Sequence, residues 1–162
     1  MTIQTGDLRE MKTDIKKVDR AEMAEKLGKA LASSYVLYHK TQSVHWNVTG
    51  PQFLGIHKLT EGQYEDLAAS IDEIAERIRA LGAKTPVGLS TYIENSAIED
   101  KVECGDVKAM LKQLSGDAIT VANQMREFVK TAEEADDVFT ADLLTARIGV
   151  LEESSWMLSA SI

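Results

Sequence analysis

Cysteine is almost absent from this sequence of 162 residues, in which Cys104 is the only one. A single cysteine excludes an intrachain disulfide and a thiolate zinc cluster, and it fits a reducing, cytoplasmic setting. No apolar run approaches the roughly 18 residues needed to cross a membrane, so no membrane partner is expected. The stretch Met1–Asp7 lacks the basic and apolar segments of a secretory signal, and secretion is therefore not expected.

Positive charge is also in short supply, because 18 Lys and Arg face 26 Asp and Glu, for a net charge of −8. Affinity for DNA is carried largely by Lys and Arg on phosphates, so the body of the protein is not expected to bind nucleic acid. Residues 1–20 hold five positive and four negative side chains, a net of +1. We interpret residues 1–19 as a solvated tail, with a short amphipathic helix or a weak DNA anchor as the alternatives.

Strand patterns, internal repeats and low-complexity segments are absent, and helical patterns take their place. Apolar residues recur at intervals of three and four, the spacing of one face of a helix. This pattern predicts four long helices, at about residues 20–47, 52–81, 106–131 and 140–159. Asp19 is the expected N-cap of the first helix, and Gly82 is the expected C-cap of the second.

Two short breaks and one long connector join these helices. Asn47–Pro51 is a tight turn, and the acidic stretch Ala132–Val138 is the expected break between the third and fourth helices. Residues 83–103 are irregular, with a short helical piece predicted around Ser90–Asn95. The predicted fold class is all-α: a ferritin-like four-helix bundle with a long crossover between helices 2 and 3, forming one domain over residues 1–162.

The apolar stripes predict the core. In the first helix, Leu31, Tyr38 and His45 lie seven residues apart, so His45 is expected near the buried seam. Trp156, in the fourth helix, is expected to pack. The expected stripe of the second helix consists of Phe53, His57, Tyr64, Leu67, Ile71, Ile74, Ile78 and Leu81.

Two histidines flank the first turn at matched distances. His45 lies five residues before Gly50, and His57 lies six residues after Pro51. In an antiparallel hairpin they stand at about the same height and can share a metal ion, although hydrogen-bonded structural histidines are the alternative. No histidine has a glutamate three residues before it, so the Glu-x-x-His motif of a di-iron site inside one bundle is absent.

Two carboxylates, Asp72 and Glu76, lie on the same broad face of the second helix as His57. At 1.5 Å per residue, Asp72 is about 22 Å beyond His57, so a straight helix cannot bring both to one metal. A twofold axis near Tyr64–Asp66 would bring His57 of one chain to Asp72 and Glu76 of its copy, giving two identical sites per dimer. The alternative is a solvated acidic stripe on a purely structural bundle, which predicts a monomer or small oligomer.

Two imidazoles with two carboxylates suit a divalent first-row metal. Iron(II) is attractive because open coordination positions could admit an oxidant. Zinc could bind the same groups, so the ligand types alone do not choose between them.

The pattern His45-Trp46, then His57 twelve residues on, then Asp72-x-x-x-Glu76 fifteen further, resembles the Dps family, also called miniferritins. The resemblance covers essentially the whole chain. It implies a hollow dodecamer that oxidises Fe(II), preferably with hydrogen peroxide over O₂, and stores the ferric product as mineral, protecting against oxidative damage. Such a protein is expected in the cytoplasm, with association with the nucleoid as a variant.

The resemblance also implies residue roles. His45 and His57 would be ferroxidase ligands from one subunit, and Asp72 and Glu76 would be those from its twofold partner. Glu61 stands where the family commonly has an aspartate that assists a second, weaker iron, and its longer side chain changes that geometry.

Further expectations concern residues outside the ligand set. Trp46 matches a residue thought to intercept oxidising equivalents, with packing at an interface as the alternative. His39 has no assigned role and is expected to be a hydrogen-bonded structural histidine. A run of acids resembles the lining of the family's negative threefold pores, with helix capping or a solvated loop as the alternative for each: Glu133, Glu134, Asp136, Asp137 and Asp142.

Chromosome binding, which gave the family its name, is the second functional hypothesis. Here the predicted tail is nearly neutral, and twelve copies at −8 would carry a formal charge of −96. Weak or absent DNA binding near neutral pH is therefore expected.

Overall fold

The computed structural model describes residues 8–162, so the stretch 1–7 at the start of the expected tail lies outside the described residues. Five helices account for most of the rest, and the described part contains no strand. They are α1 (Lys17–Asn47), α2 (Phe53–Ala80), α3 (Leu89–Asn95), α4 (Val107–Glu134) and α5 (Val138–Ala160). The predicted all-α class is confirmed, and the short helix expected in the crossover is α3.

The bundle is built around α1, which packs against α2, α3 and α4, while α4 packs along α5. Antiparallel pairs of long helices bury apolar side chains against each other, which is the packing of a four-helix bundle. None of the described helices is both long and apolar enough to span a bilayer. The most deeply buried apolar side chains are Met23, Leu27, Leu31, Ile74, Ile78, Leu81, Leu111, Leu114, Met125, Leu144 and Leu158.

The start of α1 differs from the prediction. The helix begins at Lys17, with Lys16 as the N-cap residue, so Asp19 as the N-cap is wrong. Asp19 lies instead in the first turn, where a carboxylate is favourable beside the positive end of the helix dipole.

The end of α2 lies close to its prediction, with Leu81 as the C-cap residue and the predicted Gly82 one position beyond it. Gly82 follows the last residues of the helix with φ +94°, and the amide of Ala83 donates to the carbonyl of Ile78 over 3.2 Å. A Cβ at Gly82 would lie 2.9 Å from the carbonyl oxygen of Arg9, whose amide donates to Gly82 over 3.0 Å. Glycine is therefore needed both for its backbone conformation and for the close approach of residues 8–16.

The break between α4 and α5 is shorter than predicted. The α4 helix continues to Glu134, and only residues 135–137 separate it from α5. Asp136 takes φ +55°, and the amide of Asp137 donates to Ala132 over 2.8 Å, the closing bond of a Schellman motif. An aspartate stands where glycine usually marks such an end, so the sequence pattern did not reveal it.

Two residues that were expected to pack are exposed. Phe53 is 42% exposed, because it begins α2 directly after the turn of the hairpin, and Ile56 takes the buried position three residues later. Trp156, which was expected to pack, is 65% exposed on α5 and is not buried within this chain.

A buried lysine on α1 joins this helix to both α4 and the crossover. Lys40 on α1 is 1% exposed, and its Nζ lies 2.6 Å from a carboxylate oxygen of Asp117 on α4. The same ammonium donates to the carbonyl of Glu99 over 2.9 Å. Burial raises the pKa of Asp117, an effect that exceeds the lowering by the hydrogen bond from Lys40. The charge on Lys40 thus has two oxygen partners in a buried position.

Candidate metal centre

The turn between α1 and α2 sets the position of the two histidines. Gly50 has φ +92°, its carbonyl accepts from the amide of Phe53 over 3.0 Å, and the amide of Val48 closes the end of α1. This tight connection brings His45 and His57 side by side, with ring centroids 3.7 Å apart and planes inclined by 19°. The expected matched height of the two rings is therefore present in the structure.

Each histidine ring is held by the backbone of the other residue. His45 Nδ1 lies 2.9 Å from the carbonyl oxygen of His57, and His57 Nδ1 lies 3.0 Å from the carbonyl oxygen of His45. A carbonyl can only accept, so Nδ1 carries the proton in both rings. Both Nε2 atoms consequently keep their lone pairs, as in histidines that bind a metal and donate their other N–H to a carbonyl.

The surroundings of the pair restrict its movement. His45 is 6% exposed, and the Tyr64 ring meets it edge-on with centroids 5.1 Å apart. Phe53 lies 5.0 Å from the His57 ring. Burial raises the pKa of the Tyr64 phenol, helped by the nearby charges of Glu61 and Glu65. Periodicity placed Tyr64 in the core stripe, but it gave no reason to connect that residue with the site.

Glu61 lies one helical turn beyond His57 and is half-buried. Its carboxylate is 2.5 Å from the ammonium of Lys58. The hydrogen bond from Lys58 lowers the pKa of Glu61, and the positive charge of Lys58 lowers it further. Glu61 is thus an ionised carboxylate next to the histidine pair, already engaged by a lysine.

The structure does not bring Asp72 or Glu76 to the histidines. Both are exposed on the outer face of α2, which runs unbroken from Phe53 to Ala80. Within residues 8–162 of one chain, no three His, Cys, Asp or Glu side chains are grouped so that they could hold a metal. Each chain therefore carries two separate sets of candidate ligands.

Asp137 performs a structural task within the acidic run. It is 1% exposed, caps α5 by accepting from the amide of Thr140 over 3.0 Å, and accepts from Arg77 over 2.6 Å. Capping, the alternative to a pore role, therefore holds for Asp137. The remaining candidate pore acids are exposed: Glu133, Glu134, Asp136 and Asp142.

The surface of the protein carries three further residues for which the sequence made predictions: Trp46, His39 and Asp142. Trp46 follows His45 directly and is 63% exposed. His39 is exposed on α1, not enclosed in the core as expected of a structural histidine. Asp142 and Glu76 line one open groove of about 580 Å³ between α2 and α5.

Comparison with known proteins finds a matching family model and similar sequences. The ferritin-like domain model matches residues 24–162. The DNA protection during starvation protein 2 of Bacillus anthracis is 34% identical over 139 residues, covering 86% of this chain and 95% of that protein.

Solved structures agree with the sequence matches. The DPS protein of Vibrio cholerae, described as a member of a broad superfamily of ferritin-like diiron-carboxylate proteins, superposes with a TM-score of 0.86 at 30% identity. That match covers 94% of this chain and 98% of the other. Mycobacterium smegmatis Dps in its tetragonal form gives a TM-score of 0.89 at 29% identity, covering 94% of each chain.

Proposed function

Because this chain belongs to the Dps family of the ferritin-like superfamily, whose members store iron and protect against stress, we propose that it is a ferroxidase. Fe(II) is its substrate, hydrogen peroxide is the preferred oxidant, and the ferric product is stored inside a dodecamer. One observation carries the proposal: the two imidazoles are stacked 3.7 Å apart, with both Nδ1 atoms occupied by carbonyls and both Nε2 atoms free.

The second half of each site comes from a twofold partner. Pairing α2 antiparallel with its copy brings His57 of one chain to Asp72 and Glu76 of the other, with the axis near residues 64–66. The outer face of α2 at this level supports such pairing, because Ala68 and Ala69 are exposed and small. Asp66 is already directed inward, since Arg147 on α5 donates to both of its carboxylate oxygens.

The residues then divide the chemistry between them. His45 and His57 supply neutral nitrogen ligands, and Asp72 and Glu76 supply the negative charge that favours the ferric product. Glu61 assists a second iron once Lys58 releases it. When two Fe(II) ions deliver one electron each, peroxide and two protons become two water molecules, and no hydroxyl radical is released. Exposed acids at the pores raise the local concentration of Fe(II).

A complementation experiment tests the shared site. One variant carries His45→Ala and His57→Ala, and the other carries Asp72→Ala and Glu76→Ala. Each alone should oxidise Fe(II) with peroxide only at the background rate. Random co-assembly of the two makes half of the dimers mixed, each with one intact site, so about a quarter of the wild-type activity should return.

The matched control co-assembles the histidine variant with a chain that carries all four substitutions. No dimer in that mixture contains an intact site, so its activity should stay at background. Sizing near 210 kDa, twelve times 17.8 kDa, confirms that the assemblies compared are complete. Equal activity in the test and control mixtures would overturn the assignment, as would full activity of the carboxylate variant alone.

DNA binding is the weaker alternative. The net charge of −8 per chain opposes contact with phosphates. A gel shift at low salt should show little retardation near neutral pH, and tight, salt-sensitive binding would reverse this assessment.

A further inference from the structure

All four tyrosines of the protein lie in one continuous line of rings that ends at the histidine pair. Tyr64, on α2, meets the His45 ring edge-on at 5.1 Å between centroids. Tyr38, on α1, meets Tyr64 edge-on at 6.2 Å, and Tyr35 follows at 6.0 Å. Tyr92, on α3, stacks on Tyr35 at 4.8 Å. Three helices therefore contribute to a single aromatic path.

Packing alone does not explain why the four positions of this path are tyrosine and not phenylalanine. Phenylalanine would fill the same space, yet Phe53, Phe128 and Phe139 all lie outside the Tyr64–Tyr92 path. Tyrosine differs from phenylalanine by a phenol, which can lose one electron and one proton to become a neutral radical. Electron transfer between side chains falls steeply with distance, and every step along this path joins neighbouring rings.

The outer end of the path opens into a groove of about 410 Å³ between α1 and α3. Tyr35, Tyr38 and Tyr92 line it, each half-buried. The Tyr92 hydroxyl donates to the carbonyl of Pro86 over 3.2 Å. His39 and Asp100 line the same groove, and both are exposed groups that can accept a proton. His39, for which the sequence offered no role, thus lies where the tyrosines of the groove exchange their protons.

We propose that these tyrosines form a relay that carries single oxidising equivalents from the histidine site to the groove beside α3, where a soluble thiol reduces them. The proposal rests on the ferroxidase function above. It concerns the turnover in which a site holds one Fe(II) ion instead of two, so that iron supplies only one of the two electrons that peroxide needs.

The electrons and atoms of this turnover balance. One Fe(II), one hydrogen peroxide and the Tyr64 phenol give Fe(III), hydroxide, water and the Tyr64 phenoxyl radical. The Tyr64 radical then takes an electron from Tyr38, regains a proton and returns to the phenol, while Tyr38 loses its own proton. The same exchange moves the radical to Tyr35 and Tyr92. At the groove, a thiol gives one electron and one proton to Tyr92 and becomes a thiyl radical.

Freeze-quenched electron paramagnetic resonance on the assembled protein tests the relay. The protein is loaded with one Fe(II) per subunit and mixed with peroxide, with and without added glutathione. Wild type should show a tyrosyl radical that glutathione removes quickly. Tyr64→Phe should lose the tyrosyl signal. Tyr38→Phe should retain a radical on Tyr64 that glutathione no longer removes quickly, and Tyr92→Phe should also show slowed removal.

The Phe variants preserve ring packing, so a merely structural role for the tyrosines predicts no change in the radical. Trp156→Phe is the matched control, because Trp156 is an exposed aromatic residue on α5 outside the path, and its signal should equal that of wild type. An unchanged signal in Tyr64→Phe, equal decay with glutathione in wild type and Tyr38→Phe, or loss of the tyrosyl signal in Trp156→Phe would overturn the relay.

Absorbance of Fe(III), recorded on the same samples, separates this proposal from the ferroxidase assignment. Iron oxidation without any tyrosyl radical in wild type overturns the relay alone. Failure of wild type to oxidise Fe(II) with peroxide overturns both.

Discussion

The first two helices form one hairpin, yet they differ in what surrounds them. The α1 helix buries 17 of its 31 residues, whereas α2 buries 6 of its 28. The α1 helix is covered by α2, α3 and α4, and α2 has one long face open to solvent. Within a single chain, α1 is therefore an interior helix and α2 is a surface helix.

The two candidate half-sites follow this difference. His45 comes from α1, is buried, and reaches His57 across the hairpin through hydrogen bonds to the backbone. Asp72 and Glu76 are exposed on the open face of α2. The fold of one subunit fixes the orientation of the nitrogen ligands, but it leaves the carboxylates without comparable support. Substitution of the buried histidine should then change the stability of the fold, whereas substitution of the exposed carboxylates should leave it nearly unchanged.

The largest effect on stability should come from the buried charge on α1. Asp117→Ala leaves the ammonium of Lys40 buried without its carboxylate, and we expect a loss of about 3 kcal/mol in the free energy of unfolding. Replacing both partners, as Lys40→Met with Asp117→Leu, should recover most of that loss. Urea unfolding of iron-free protein at fixed concentration measures both.

The control for that experiment is the exposed pair of Arg126 and Glu152, whose loss through Glu152→Ala should change stability by no more than about 0.5 kcal/mol. Equal losses in Asp117→Ala and Glu152→Ala would mean that the buried pair of Lys40 and Asp117 contributes no more to stability than an exposed pair.

An intermediate effect on stability should distinguish substitutions in the histidine half-site from those in the carboxylate half-site. His45→Ala removes a buried ring and its hydrogen bond to His57, so we expect a loss of about 2 kcal/mol. Asp72→Ala and Glu76→Ala remove exposed side chains and should stay within about 0.5 kcal/mol of wild type. Thermal or urea unfolding without iron makes the comparison. A large loss in Asp72→Ala would show that the carboxylates support the fold as well.

The smallest effect should be a difference in pH dependence. The folded state raises the pKa of Asp117, so this group contributes stability that is fully present below its unfolded value of 3.8. That contribution is lost as the pH rises through the raised folded pKa. Asp117→Asn has no titrating group at this position and therefore lacks this contribution. The stability of wild type relative to this variant should decline as the pH rises above 3.8. Unfolding of both proteins across that range provides the measurement, and parallel profiles would contradict it.

Sequence periodicity was sufficient for the helices and for the matched height of His45 and His57. The matched height follows from the number of residues on either side of a tight turn, because each helical residue adds the same rise along the axis. The same count separated His57 from Asp72 along α2. These predictions succeeded because they depend on backbone geometry alone.

Other features depend on side-chain contacts that a pattern does not contain. The hydrogen bonds of the histidines require particular ring rotations, and the stacking of Tyr92 on Tyr35 depends on where the crossover lies across α1. Asp136 adopts a conformation usual for glycine, which concealed the end of α4. Phe53 and Trp156 fitted apolar patterns, but a pattern does not say whether the chain itself covers such a residue.

The crossed hydrogen bonds of the histidines also decide which nitrogen atom of each ring is open to a metal ion. Since a carbonyl occupies Nδ1 of each ring, only Nε2 remains as a ligand atom. Binding or loss of a metal ion at Nε2 would leave both hydrogen bonds across the hairpin intact. Exchange of the metal would then need no rotation of either ring, and the nitrogen ligands would keep one orientation in the empty and the loaded subunit.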